Sequence, residues 1–271
     1  MSDLRCFKTL NLLILIKMKK VITLSVLAIT CMFSFAQPGK PNTAKPTNAH
    51  LKVFYQAATA SDIPTAISAL NYYISEVGTN TPYADTLAMM YMQTGGYIQS
   101  YYWADLRLKS NPNDLTLLEL KGMALDKLNS PKEAIEIYEK LFAKTQNPFH
   151  GYKLMELQYS IKRLAECVVT ANATEKLKFE QAYQIPYTVG DQQGRTYLQA
   201  GVFNIHGIAL YDLDQKADAK VYFAKAIALD SNFVLAKQNL EAMIALEKNP
   251  GKANNPTNPN NNTPQNPANK N

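Results

Sequence analysis

Three histidines, His50, His150 and His206, and one cysteine beyond the first 36 residues, Cys167, are the side chains of this chain best suited to acid–base, nucleophilic or metal chemistry. Their placement supports none of it. A metal site gathers His, Cys, Asp or Glu at short, recurring spacings, and these four stand far apart with no such set around them. His150 and Cys167 would need a third group to orient the base before they could act as a nucleophile pair, and the sequence offers no candidate. Cys167 lies in LAECVV, an apolar setting that suits a small buried side chain. Gly95-Gly96 lacks the flanking pattern of a phosphate loop and reads as a turn. Trp103, beside Tyr101 and Tyr102, reads as inter-helix packing. The expectation is a protein without catalytic residues, metal or cofactor.

The elements that carry these residues are helical. The 271 residues are 46% hydrophobic and 18% charged, with 11 glycines and little strand-type alternation, which predicts an all-α fold. The formal charge of +6 comes largely from the first 36 residues, which hold five of the 28 basic side chains and one of the 22 acidic ones. The remaining 23 and 21 leave a net of +2, too little to attract nucleic acid. Within residues 1–36, the stretch from Met18 has a basic start at Lys19 and Lys20, an apolar run, and a Ser34-Phe35-Ala36 ending. That is the layout of a cleavable export signal, with cleavage expected after Ala36, translation expected to begin at Met18, and no membrane span left afterwards. Cys31 lacks the residues a lipid-anchor motif needs before it. A periplasmic or secreted location follows. Residues 37–47 read as a linker, 48–247 as the folded domain, and 248–271, rich in Asn and Pro, as a tail too polar to offset its ordering entropy.

Residues 48–247 repeat. Ala66, Ser100 and Ala134 are spaced by 34, as are Leu70, Ala104 and Tyr138. A fixed period of that length with paired helices marks a solenoid. The phrase KGMALDKL at 121–128 returns as HGIALYDL at 206–213. Each has a mid-helix glycine that costs about 1 kcal/mol against alanine. Leu118, Gly122, Leu125, Ala134, Tyr138 and Leu141, and later Phe203, Gly207, Leu210, Ala219, Phe223 and Ala226, resemble the tetratricopeptide repeat. The resemblance implies a superhelical solenoid of antiparallel helix pairs, with about five repeats and a C-terminal capping helix beginning near Asn232. The glycine would sit where the first helix of a pair meets the second. Ser130-Pro131-Lys132-Glu133 predicts a capping box, and Ser61/Asp62 and Asp230/Ser231 further caps.

Gly122 and Gly207 are 85 residues apart, two periods of 34 plus 17. One divergent pair is expected at 151–183, its helices covering KLMELQYSIKRLAECVV and TANATEKLKFEQAY, followed by an inserted loop at 185–195.

In the family, partners lie along the face made by the first helices. The resemblance carries that role to Tyr55, to Asp85, Met89, Met92 and Gln93, to Glu119, Met123 and Asp126, and to Asn204, Ile208 and Tyr211. Family members that clamp a carboxylate use Lys and Asn at positions that here hold Asp85/Met89 and Glu119/Met123, which argues against that activity. The resulting expectation is an exported, non-catalytic scaffold that binds a protein or peptide partner bearing apolar and basic groups. The alternatives are an enzyme or accessory domain built around 185–195, and an envelope glycan binder using exposed rings among the sixteen tyrosines.

Overall fold

The computed structural model describes residues 48–248; the signal, linker and tail expectations lie outside the described residues, apart from Lys248, the first residue of the expected tail, which belongs to the last helix. Eleven helices and one hairpin follow in order among them: α1 Ala49–Thr59, α2 Ile63–Val77, α3 Pro82–Gln93, α4 Tyr97–Ser110, α5 Leu115–Lys127, α6 Pro131–Thr145, α7 Pro148–Ser160, α8 Leu164–Thr174, β1 Gln184–Val189, β2 Gln192–Tyr197, α9 Leu198–Asp212, α10 Lys216–Leu229 and α11 Val234–Lys248. Helices α1 to α10 form five antiparallel pairs, and α11 packs on α10 at the end of the stack.

Local chemistry separates the helices. The first helices α1, α3, α5 and α7 start at side-chain caps: Asn48 accepts from His50 and Leu51, Thr81 from Tyr83, Asp114 from Thr116 and Leu117, and Asn147 from Phe149. The turn inside every pair is built differently. Ser61, Gly95, Asn129, Lys162 and Asp214 all take positive φ, between 57° and 80°. In each case the next N–H bonds back to a carbonyl five residues earlier, as Ser130 does to Leu125 and Arg163 to Gln158. This bond closes the first helix in the manner of a Schellman turn. The expected capping box at Ser130 does not form. Its φ of −109° and ψ of 63° belong to that turn, and its side chain caps nothing. Asp62 does cap α2 through Thr65. Asp230 accepts instead from Asn232 and from Thr196, and α11 begins at Val234.

These five turns fix the true period. They fall 34, 34, 33 and 52 residues apart, so the fourth pair is one residue short and the insertion is about 18 residues long. The expected helices at 151–183 were out of phase. The break lies at 161–163, not at 169/170, and 175–183 is irregular. Lys162 holds the left-handed position where other pairs use Ser, Gly, Asn or Asp, so the turn carries no residue-type signal.

Packing explains the glycines. A Cβ on Gly122 would lie 3.1 Å from both Ile137 Cγ2 and Tyr138 Cε2, and one on Gly207 would lie 2.8 Å from Phe223 Cε1. The rule extends along the stack. Positions 16 apart hold Phe54/Leu70, Ala88/Ala104, Gly122/Tyr138, Met155/Ala171 and Gly207/Phe223, all buried. In the third and fifth pairs, where the second helix carries an aromatic ring, the first helix has glycine, while in the first and fourth pairs the larger side chain, Phe54 or Met155, stands on the first helix. Close-packed interiors require this compensation of volume. Trp103 contributes packing as expected, lying against the cores of the first two pairs and of the pairs that follow.

The insertion is a β-hairpin, which corrects the expectation of an irregular loop. Strands β1 and β2 pair antiparallel with Val189 opposite Gln192 across a two-residue Gly190-Asp191 turn. Ile185, Tyr187 and Val189 point to the protein, where Ile185 is buried, and Tyr187 and Val189 join Phe233 in a cluster between α9, α10 and α11. The signal was present in the sequence. Alternating Ile-x-Tyr-x-Val before Gly-Asp is a hairpin signature.

Candidate functional site

The first helices lie side by side and are joined to one another by side chains. Tyr55 Oη on α1 is 2.9 Å from Tyr83 Oη on α3. Between α5 and α7, Glu119 faces His150 at 3.6 Å, and Asp126 meets Lys153 at 3.0 Å. Tyr159 Oη on α7 donates to Asp212 on α9 at 3.0 Å, and Asn239 on α11 donates to Asn204 on α9 at 2.9 Å. Positions assigned to partner contact from the repeat pattern thus also hold the array together.

That outcome divides the expected site residues. Tyr55 and Gln93 are exposed. Asp85, Met89, Glu119, Met123, Asp126 and Tyr211 are half-buried on the same series of helices. Met92, Asn204 and Ile208 are corrections, being 9%, 2% and 1% exposed. Met92 fills the core shared by pairs two to four, and Asn204 and Ile208 are covered where α9 packs on its neighbours. A side chain with no open surface cannot touch a partner.

The carboxylates are not free either. Arg107 Nε on α4 lies 2.5 Å from Asp85 Oδ1, and Arg107 also donates to Asn80. Lys121 reaches Asp105 at 2.6 Å. His150 Nδ1 is 2.8 Å from Thr145 Oγ1, so one ring edge is held by α6 and the other turns to Glu119. Lys153 stands between Asp126 and Glu156, the latter at 2.8 Å, and Glu156 also accepts from Tyr152 Oη. Burial works against the Lys153 charge, but Glu156 and Asp126 outweigh it and hold its pKa above the ordinary lysine range. Burial raises the Tyr138, Tyr152 and Tyr159 phenols, and Tyr83 is pushed up to about 12 by burial and by its bond to Tyr55. Asp85 thus has a cation of its own, Asp126 and Glu156 share one, and Glu119 meets an imidazole, so part of the expected acidic lining is tied up in pairs.

Residues of α7 were missed by the sequence reading. Half-buried Lys153 and Glu156 occupy this face in the fourth pair, with Tyr152 and Tyr159 buried beside them, but the pair was out of phase there. The 33-residue step from Ala134 to Cys167, both buried at the start of a second helix, was the available signal.

The residues with chemical potential are placed as follows. Cys167 is buried, its Sγ 3.5 Å from Met155 O, and burial pushes its thiol up to about 12. His206 is buried with Nδ1 2.5 Å from Glu175 Oε1 and its ring 3.9 Å from that of Tyr222, which ties the end of α8 to α9. No group of three or more His, Cys, Asp or Glu side chains with metal geometry occurs among the described residues. The ionisable groups on the hairpin itself, Asp191, Tyr187, Arg195 and Tyr197, are spread along it, and Tyr187 packs on Phe233. The exposed tyrosines are Tyr55 on α1, Tyr72 on α2 and Tyr102 on α4, each on its own element, and Tyr183 and Tyr197 at the base of the hairpin.

No protein-family model matches the chain. Over 86 residues it is 37% identical to the tetratricopeptide repeat protein 21 homolog of Caenorhabditis elegans, a match spanning 31% of this chain and 6% of that protein. This chain therefore corresponds to a small part of that relative. Among solved structures, a MamA protein superposes with a TM-score of 0.56 at 16% identity, covering 67% of this chain and 90% of the other. YrrB, described as a TPR protein with an unusual peptide-binding site, gives 0.55 at 13% identity over 69% and 88%. MamA from Desulfovibrio magneticus RS-1 gives 0.54 at 14% identity over 68% and 94%.

Proposed function

We propose that this tetratricopeptide-repeat protein is an exported, non-catalytic scaffold that holds an extended peptide or protein segment along its first helices. The observation that carries the reading is the alternation on that face. Fixed charge pairs, Asp85–Arg107 and Asp126–Lys153, stand beside half-exposed Met89, Met123 and Tyr211 and exposed Tyr55. The pairs define a rigid polar frame. The methionines are unbranched and polarizable, which lets one surface fit differing apolar side chains. With Asp85 and Asp126 each held by a cation, the half-exposed methionines and tyrosines suit the face to a partner that is mainly apolar. The peptide-binding site ascribed to YrrB, which shares the fold, is in keeping with this use. Export rests on the leader beginning at Met18, and cleavage would leave Gln37 as the first residue.

Photo-crosslinkers placed in the native host at Gln93 and Met123, with Glu136 on the second-helix side as control, test the reading. Partner adducts are expected at the first two positions and absent at Glu136. Adducts confined to Glu136 would overturn it. Amino-terminal sequencing of the mature protein checks export independently.

A further inference from the structure

The hairpin has two edges, and they differ. Leu198 N–H donates to Tyr183 C=O at 3.0 Å, which makes that pair hydrogen-bonded and sets the alternation for the ladder. Ile185, Tyr187 and Val189 then bond inward to Thr196, Gly194 and Gln192. Gln184, Pro186 and Thr188 turn their main chain out along β1, and Gln193 and Arg195 turn theirs out along β2.

The β1 edge is blocked. Pro186 has no N–H at its centre, which breaks the row of donors there. The β2 edge is open. Gln193 and Arg195 are exposed, and their N–H groups have no acceptor among the described residues. The strand is also held in place, because the Tyr187 ring lies over Gly194 and packs on Phe233 with centroids 4.8 Å apart.

We propose that the β2 edge is a homodimer interface, joined antiparallel to β2 of a second copy to give a four-stranded sheet. Charge selects this occupant. Asp191 and Arg195 stand two residues on either side of Gln193. Antiparallel pairing centred on Gln193 sets Asp191 of each copy opposite Arg195 of the other, twice by symmetry, and each guanidinium would exchange the Gln184 C=O that its Nη2 meets at 3.1 Å for that carboxylate. In that register the hairpin tip of one copy ends beside residue 196 of the other, short of α9. The chain's own flanks are unsuited. Residues 37–47 and 249–271 contain no Asp or Glu for Arg195 and no run of six residues without proline. The blocked β1 edges end the sheet at four strands, so the assembly closes instead of growing into a fibre. So short a contact is below the size of a standard interface, and the dimer is correspondingly weak and concentration-dependent.

Sedimentation equilibrium of the full mature chain, from micromolar to about 1 mM, tests this. Wild type is expected to dimerise as concentration rises, with amide exchange slowing at Gln193 and Arg195. Arg195→Asp sets like charges across both contacts and should weaken the dimer about tenfold, as should Asp191→Arg. The double exchange Asp191→Arg plus Arg195→Asp should restore it, which separates pairing from misfolding. Gln193→Pro removes only an outward donor, as Pro186 already does on the other strand, and should abolish dimerisation while leaving the melting curve intact. A wild type that stays monomeric at the highest concentration, or a dimer indifferent to Gln193→Pro and to the charge exchanges, would overturn the proposal. Neither result bears on partner binding by the first helices.

Discussion

Gly207→Ala sets two opposing effects against each other at one buried position. Glycine inside a helix costs about 1 kcal/mol relative to alanine, so on local grounds the substitution should stabilise α9 by that amount. The tertiary structure opposes it. The new methyl would lie 2.8 Å from Phe223 Cε1 and 2.9 Å from Cδ1, distances at which something must move. Phe223 is 1% exposed, so its ring has no open space to retreat into. Over-packing of this kind costs about 1–3 kcal/mol. The net expectation is destabilisation of about 1 kcal/mol, or a fall in melting temperature of about 2–4 °C for a domain of this size. Gly122→Ala provides the comparison. Its methyl would meet Ile137 and Tyr138 at 3.1 Å, a shortfall of a few tenths of an ångström, so the two effects should nearly cancel. Urea titrations followed by circular dichroism give both values. Phe223→Leu closes the cycle, because the smaller side chain should cost less in the Gly207→Ala background than alone, by about 0.5–1 kcal/mol. A Gly207→Ala protein stabilised by its full helical gain, with no coupling to Phe223, would refute the claim that the glycine exists to admit the ring.

Lys153→Met should cost about 1–3 kcal/mol, because it leaves Asp126 and Glu156 facing each other without the ammonium between them. The lysine's pKa is raised in the folded state, so its contribution is complete below about pH 10.4 and is lost only as pH climbs through the higher folded value. Denaturant titrations of wild type and variant should therefore differ by a constant amount through neutral pH and converge in strong alkali. Cys167, with its thiol pushed up to about 12 and its side chain buried, should resist iodoacetamide at pH 8 in the folded protein and react once unfolded; labelling of the native state at the rate of a free thiol would contradict the packing. Ile185→Ala removes the side chain that seats the hairpin on α9 beside Gly201 and Tyr152. The expected loss is about 2–4 kcal/mol of local stability, read as faster amide exchange in β1, β2 and the first turn of α9, with pairs one to three unaffected.

The repeat was legible because its determinants are local. A 34-residue spacing of small and large side chains, caps at Asp62 and Asp114, and the glycines of the third and fifth pairs are all written as residue types at fixed offsets. The hairpin was legible too, in Ile-x-Tyr-x-Val before Gly-Asp, but a strand signal of six residues is easily lost inside a helical chain. The turn at Lys162 was not, because a left-handed conformation imposed by the packing of α7 on α8 leaves no trace in the residue type.

The sequence by itself determined the helix pairs wherever the 34-residue period holds, in the first three pairs and the last, because periodicity and capping are properties of neighbours along the chain. It did not determine what a polar side chain on the face made by the first helices would meet. Whether Asp85 and Glu119 were free acids or the partners of Arg107 and His150 depended on residues 22 and 31 positions away, brought within reach only when α3 lay against α4 and α5 against α7. The same holds for Asn204, polar and open in the pattern but buried against Asn239. An open strand edge on β2 is decided at that level as well, since the direction of each N–H follows from the register of two strands and not from the residues that carry it.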